Sequence, residues 1–453
     1  MRRVRRRSML RSVAGMGAVV VAGCSGGQPG QEDGQGGDDG DGGDSGAATP
    51  TEEGPRADPA FHDKITAPAP QPEDHFGSAV AVTGNTVFVG ANRDDVERGT
   101  NAGSVHVLRR REGTWAHQTA LTDDDGARGD LFGSALAVSD TVALIGASQH
   151  DHSGESDAGA VYVFERGDES WTQQAKLVAD DASRLDRFGT SLALSGREGL
   201  VGAPFHAGNR GVDSGEAYLV DGANGAWRVA EALAPLAIDR ADTFGTSVAL
   251  SGDTALVGAP TDEHPNGSKA GTVYHFARTD GAWEHRSRIA PEDGKPGGRF
   301  GAAMDLSGDT LLVGAPHDVD EGLNDPGVAY VFVRSGNGWV QEARLVRSDA
   351  NGDDADDTDD RFGAAVTLAG DDVAVVGAPT DEEPNGRAGG SAYVFERAGG
   401  SWREVTKLSA RHGRAEANYG QAVAAGADLA AVGVPRENLA EGRSAGATHL
   451  YTI

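Results

Sequence analysis

The sequence predicts an all-β fold: a seven-bladed β-propeller of four-stranded antiparallel blades, closed by an N-terminal strand. Three observations carry this. An aromatic followed by glycine occurs seven times, at Phe76-Gly77, Phe132-Gly133, Phe188-Gly189, Phe244-Gly245, Phe300-Gly301, Phe362-Gly363 and Tyr419-Gly420, spaced by 56, 56, 56, 56, 62 and 57 residues. A second mark lies 13 or 14 residues further on in each copy, as in Val201-Gly202-Ala203-Pro204 and Val257-Gly258-Ala259-Pro260. The six tryptophans of the chain fall one to a repeat, at Trp115, Trp171, Trp227, Trp283, Trp339 and Trp402. A repeat of this period, with four strands in each unit, is a propeller signature.

The elements follow in chain order. Residues 1–23 read as a targeting segment and not as part of the fold. Arg2, Arg3, Arg5, Arg6, Arg7 and Arg11 precede an apolar run from Val13 to Ala22. That run is too short to cross a ~30 Å hydrocarbon core, which takes about 20 residues. Arg6-Arg7-Ser8-Met9-Leu10 resembles the twin-arginine export signal. Val21-Ala22-Gly23-Cys24 resembles the lipobox of secreted lipoproteins, which implies a diacylglyceryl group on Cys24 and an extracellular, membrane-anchored location. Cys24 is the only cysteine, so no intramolecular disulfide and no Cys-rich metal site can form. Residues 24–60 are Gly, Asp, Ser and Pro with almost nothing apolar, and read as a disordered tether.

Residues 61–453 hold the propeller. In the fourth repeat the strands are expected at about 246–250, 254–258, 272–277 and 283–289. The first two are almost wholly apolar, as strands buried on both faces should be. Ser251-Gly252-Asp253 between them reads as a hairpin turn. A glycine opens each third strand: Gly103, Gly159, Gly215, Gly271, Gly327, Gly390 and Gly446. The seventh repeat lacks a tryptophan strand, but residues 61–65 resemble the missing piece, with Lys64-Ile65 matching Lys407-Leu408. They are expected to supply the outer strand of the seventh blade and so cover a sheet edge.

The Phe-Gly and Gly-Ala-Pro pairs resemble the motifs of the FG-GAP repeat family, which is similar to the propeller head of integrin α subunits. The resemblance covers nearly all of the chain after the tether. Physically the motifs read as structural: an aromatic wedge between blades, a glycine where backbones approach, a proline that ends a strand. The tryptophans read as inter-blade packing. In the integrin relatives, calcium loops of the pattern Asp-x-Asp-x-Asp-Gly join the first two strands of several blades. Here that place holds short turns such as Ser251-Gly252-Asp253 and Ser307-Gly308-Asp309. One aspartate cannot supply the six to eight oxygens that calcium takes. The inherited calcium sites are therefore expected to be absent. One weaker calcium candidate is the acidic insertion before the sixth repeat, through Asp349, Asn351, Asp353 and Asp357. It equally fits a solvated acidic loop. His150, Asp151, His152, Glu155 and Asp157 form a transition-metal candidate in the second repeat.

Charge bounds the partners. The full chain has 40 basic and 69 acidic residues, a net of −29. Loss of the signal removes six arginines and leaves five lysines: Lys64, Lys176, Lys269, Lys295 and Lys407. This acidic, lysine-poor balance resembles proteins of salt-loving archaea, where screening relieves self-repulsion. It argues against nucleic acid as a partner. No catalytic signature is visible: no cysteine nucleophile within the propeller, no Gly-x-Ser-x-Gly elbow and no phosphate-binding glycine loop.

All the long connections, between strands two and three and between blades, fall on one face. The two–three loops at 92–102, 148–158, 204–214 and 316–326 keep one length while their chemistry varies. That suits recognition on a rigid scaffold, and equally suits plain solvent loops. The expected function is a monomeric, non-catalytic, cell-surface module that binds a protein or glycan. A structural envelope protein and an extracellular glycan-acting enzyme are the alternatives.

Overall fold

The computed structural model describes residues 59–453, apart from 98, 169, 208–212, 224, 236–238, 240, 264–265, 320–326, 350–358, 383 and 411–413. The described residues form seven four-stranded antiparallel sheets and no helix. In the fourth blade the strands are Ser247–Ser251, Thr254–Ala259, Thr272–Thr279 and Ala282–Ile289, hydrogen-bonded in that order. The first strands of neighbouring blades touch one another around the whole ring, so the most apolar strands line the axis. They are short and buried on both faces, which is why they read as continuous apolar runs.

The motifs work at the seams between blades. Each Phe of the Phe-Gly pairs is buried, and its ring meets the third-strand aromatic of its own blade, edge-on in five blades, as Phe132 meets Tyr162 at 5.5 Å, and tilted where Phe76 meets His106. Its backbone pairs with the preceding blade: Phe188 bridges Gly159, Phe244 bridges Gly215, and Phe76 bridges Gly446 across the closure. The glycines admit that approach. A Cβ on Gly90 would stand 2.2 Å from the carbonyl oxygen of Gly133 in the next blade. The tryptophans reach the preceding blade as expected. Trp171 packs edge-on to Phe88, and Trp227 Nε1 donates to Glu165 at 2.8 Å.

The seventh blade is completed by the N-terminal strand Ala60–Ile65, which pairs with Ala447–Thr452. The match extends to a defect. In every blade the fourth strand skips one residue against the third, as between His275 and Phe276 in the fourth blade. The closing strand makes the same shift between Phe61 and Asp63. Lys64 therefore lies opposite His449, as Lys407 lies opposite Tyr393. Phe61 falls in register with Glu404 and not with Trp402.

Candidate binding face

The residue just before each aromatic-glycine pair lies in the left-handed region. These residues are His75, Leu131, Arg187, Thr243, Arg299, Arg361 and Asn418, with φ between 55° and 58°. For residues other than glycine this conformation costs roughly 1–2 kcal/mol each. A turn holds it in each blade: the backbone N–H three residues on donates to that residue's carbonyl, as Ser78 does to His75 at 3.0 Å. The residue after each Gly-Ala-Pro mark stands alongside. These are Arg93, Gln149, Phe205, Thr261, His317, Thr380 and Arg436. The backbone N–H of Arg93 donates to the Asp74 carbonyl at 3.2 Å, and that of Arg436 donates to Ala417 at 3.2 Å.

Within a blade the two side chains meet. The Arg187 guanidinium lies 5.1 Å from the Phe205 ring centroid, Arg299 Nη1 lies 3.2 Å from His317 Nε2, and the Thr243 and Thr261 hydroxyls are 2.7 Å apart. These positions recur once per blade on the long-loop face, forming a mouth where each chain segment enters its first strand. Five are arginine and none is acidic, in a chain of net charge −29. Between the seventh and first blades the mouth opens into a cavity of about 250 Å³. Its lining includes His75, Arg93, Arg436 and Arg443 together with Glu73 and Glu416. Burial, reinforced by Arg93 and Arg436, pushes the His75 imidazole down to about 4. At neutral pH the arginines supply the positive charge there.

Outside the mouth, every blade but the first carries an ionic cluster built on its third-strand aromatic; in the first, His106 meets His117 at 3.1 Å and Ala120 stands opposite His106. In the sixth blade Tyr393 Oη donates to Asp381 at 2.8 Å, and Lys407 Nζ lies 2.8 Å from Asp381 and 2.6 Å from Asp349. In the fifth, Tyr330 donates to Asp318 at 2.7 Å and Arg344 pairs with Asp293 at 3.3 Å. In the second, Lys176 Nζ lies 2.7 Å from Asp125 and 2.6 Å from His150 Nε2. The cation comes each time from the fourth strand, opposite the aromatic. The third blade departs: Ala232 stands opposite Tyr218. Here His206 Nδ1 lies 2.9 Å from Asp186, and its Nε2 lies 3.2 Å from Glu216 and 3.7 Å from Asp181. The Asp186 hydrogen bond, aided by the three carboxylate charges, holds this imidazole above its ordinary range in spite of burial.

The residues singled out from the sequence fall as follows. Asp349 is engaged by Lys407 and Tyr393. Its proposed calcium partners Asn351, Asp353 and Asp357 lie outside the described residues, as do Cys24, Arg6 and Arg7. The second-blade histidines are not brought together: His150 turns to Asp130 and Lys176, and His152 to Ser153 at 2.9 Å. The turns between first and second strands are tight hairpins with their aspartates engaged. Ser251 pairs directly with Thr254, and Asp253 and Asp309 accept from Arg278 and Arg334 at 2.9 Å each. The mouth ring and the His206 group were not anticipated. Reading the seven copies column by column at the residue before Phe-Gly would have disclosed the ring.

Comparison with known proteins gives the fold and the family. A chain from the structure titled "Crystal Structure of Mitotic Checkpoint Complex" superposes with a TM-score of 0.52 over 90% of this chain and 99% of that one, at 10% identity. That likeness is one of fold alone. No curated protein matches the sequence. The model of the FG-GAP repeat matches seven times, at residues 60–108, 115–164, 171–220, 227–276, 283–332, 339–395 and 402–451. Each match begins on the outer strand of one blade and ends on the third strand of the next, so the first match takes in the closing strand, and the chain belongs to the FG-GAP repeat family.

Proposed function

We propose that this FG-GAP propeller is a non-catalytic interaction module. It is held on the outer face of the cell membrane by lipid on Cys24, and its mouth takes an anionic group of a surface protein or glycan. The observation that carries the reading is the ring itself. Arg93, Arg187, Arg299, Arg361 and Arg436 gather on the long-loop face of a chain that is otherwise strongly acidic. Arginine forks match carboxylate, sulfate and phosphate groups, and a rigid scaffold limits the ordering cost of binding.

The test is retention of the soluble protein on washed cells. Wild type is expected to be retained and the triple variant Arg187→Glu, Arg299→Glu, Arg436→Glu to wash off. Equal retention of the two would remove the mouth from the binding account. The anchor has a separate test: Cys24→Ser is expected to release the protein into the medium.

A further inference from the structure

We propose that Asp181, His206 and Glu216 hold a divalent transition-metal ion, with the donor set of a zinc site, on the long-loop face of the third blade. The first support is geometric. The three donor atoms lie within 4.8 Å of one another. Ligand atoms about 2.0–2.1 Å from a tetrahedral ion stand about 3.3–3.4 Å apart. His206 Nε2 lies 3.2 Å from Glu216 Oε2 and 3.7 Å from Asp181 Oδ2, on either side of that separation.

The groups around the donors are those a metal site uses. Asp186 Oδ2 receives the other ring nitrogen of His206 at 2.9 Å, which leaves the Nε2 lone pair facing the two carboxylates. A carboxylate behind a ligating histidine fixes its tautomer and raises its basicity. Asp186 is buried, and its Oδ1 has no hydrogen-bond partner among the described residues. The Tyr218 hydroxyl lies 3.0 Å from Asp181 and 3.3 Å from Glu216, and so orients both carboxylates. The Asp181 side chain is 58% exposed, so the fourth side of the site opens to solvent.

The second support comes from the blade next door. Asp125, Asp130, His150 and Tyr162 sit 56 residues before Asp181, Asp186, His206 and Tyr218, with the same mutual contacts. There a cation occupies the meeting point: Lys176 Nζ, 2.6 Å from His150 Nε2 and 2.7 Å from Asp125 Oδ2. Three substitutions separate the clusters. Lys176 becomes Ala232, Ala160 becomes Glu216, and the buried Asp123 becomes Ala179. The third blade has lost the tethered ammonium and keeps three carboxylates, one of them now on Glu216. Imidazole with carboxylates suits zinc and its first-row neighbours better than calcium. The competing way to balance the charge is a proton on His206.

Chelator-treated full-length protein titrated with zinc chloride in concentrated monovalent salt separates the two. Wild type is expected to bind one saturable equivalent and to melt higher with it. Ala232→Lys, which restores the lysine of the second blade, is expected to show no rise in melting temperature on adding zinc and to bind zinc at least tenfold more weakly. Asp186→Asn is expected to weaken binding about 10–100-fold, and His206→Ala to abolish the equivalent. No saturable equivalent in wild type would overturn the proposal. So would unchanged affinity in His206→Ala, a readout that stands even if Ala232→Lys fails to fold.

Discussion

At single positions the fold depends on atoms that are missing. Gly90 has an ordinary φ, so alanine there brings no backbone strain, only a Cβ driven against the Gly133 carbonyl of the next blade. A backbone oxygen cannot move aside as a side chain can. Gly90→Ala is expected to destabilise by about 3 kcal/mol or more, at the upper end of overpacking costs. Gly113 gives the contrast: its φ is 82° but nothing lies within 4 Å of the new Cβ. Gly113→Ala is expected to cost only the strain of its conformation, about 1 kcal/mol. Denaturant melts of the two variants check both values. Asp305 is the opposite case, a carboxyl buried in the first strand of the fifth blade where five other blades place alanine. Burial raises it to about 6, although the Leu368 and Leu306 N–H groups and the Thr367 hydroxyl all donate to it. Because its folded value lies above the unfolded one, its contribution is full below pH ~4 and is lost as the pH rises through ~6. Wild type should therefore lose stability relative to Asp305→Ala across that window, by at most about 3 kcal/mol. Parallel pH profiles for the two proteins would contradict this.

At the scale of the strand, the closing element shows why sequence repeats are informative. Lys64-Ile65 could be matched to Lys407-Leu408 by eye, and the register bears the match out. Removing residues 60–65 strips a whole strand from the seventh blade and exposes the edge at Ala447–Thr452. The melting temperature is expected to fall sharply, and an unchanged melt would show the ring stable without its seam. What could be read beforehand was whatever keeps its residue type: Phe-Gly, Gly-Ala and tryptophan recur because close packing admits little else. The mouth ring keeps its backbone conformation while its residue type runs from leucine to arginine, so resemblance alone passes over it. The His206 group was hidden for another reason. Its meaning lies in Ala232 standing opposite Tyr218, and that register depends on a one-residue shift between the strands.

Over the whole molecule, charge is divided unequally. Acid predominates in the chain, and its arginines recur both on the long-loop face and beside the short turns of the opposite face, where Arg278 and Arg334 pair with Asp253 and Asp309. The two populations respond differently to salt. Self-repulsion among carboxylates is screened as the Debye length falls from about 10 Å at 0.1 M to about 3 Å at 1 M. The melting temperature is therefore expected to rise from 0.1 M to 2 M potassium chloride, measured by differential scanning fluorimetry. A flat or falling curve would mean that repulsion is not what salt relieves. Tightly coordinated pairs such as Arg347 with the buried Asp360 should be little affected, being already shielded from water.

The closing strand also decides how this domain meets mechanical load. Every residue before 59 joins the propeller through Ala60–Ile65, which is hydrogen-bonded along one side only, to Ala447–Thr452. Tension drawn through the N-terminal segment acts first on that single ladder, whose partner strand comes from the far end of the sequence. Pulling from that side tests the seam before it tests any blade. The force at which the ladder parts sets the force at which the ring opens.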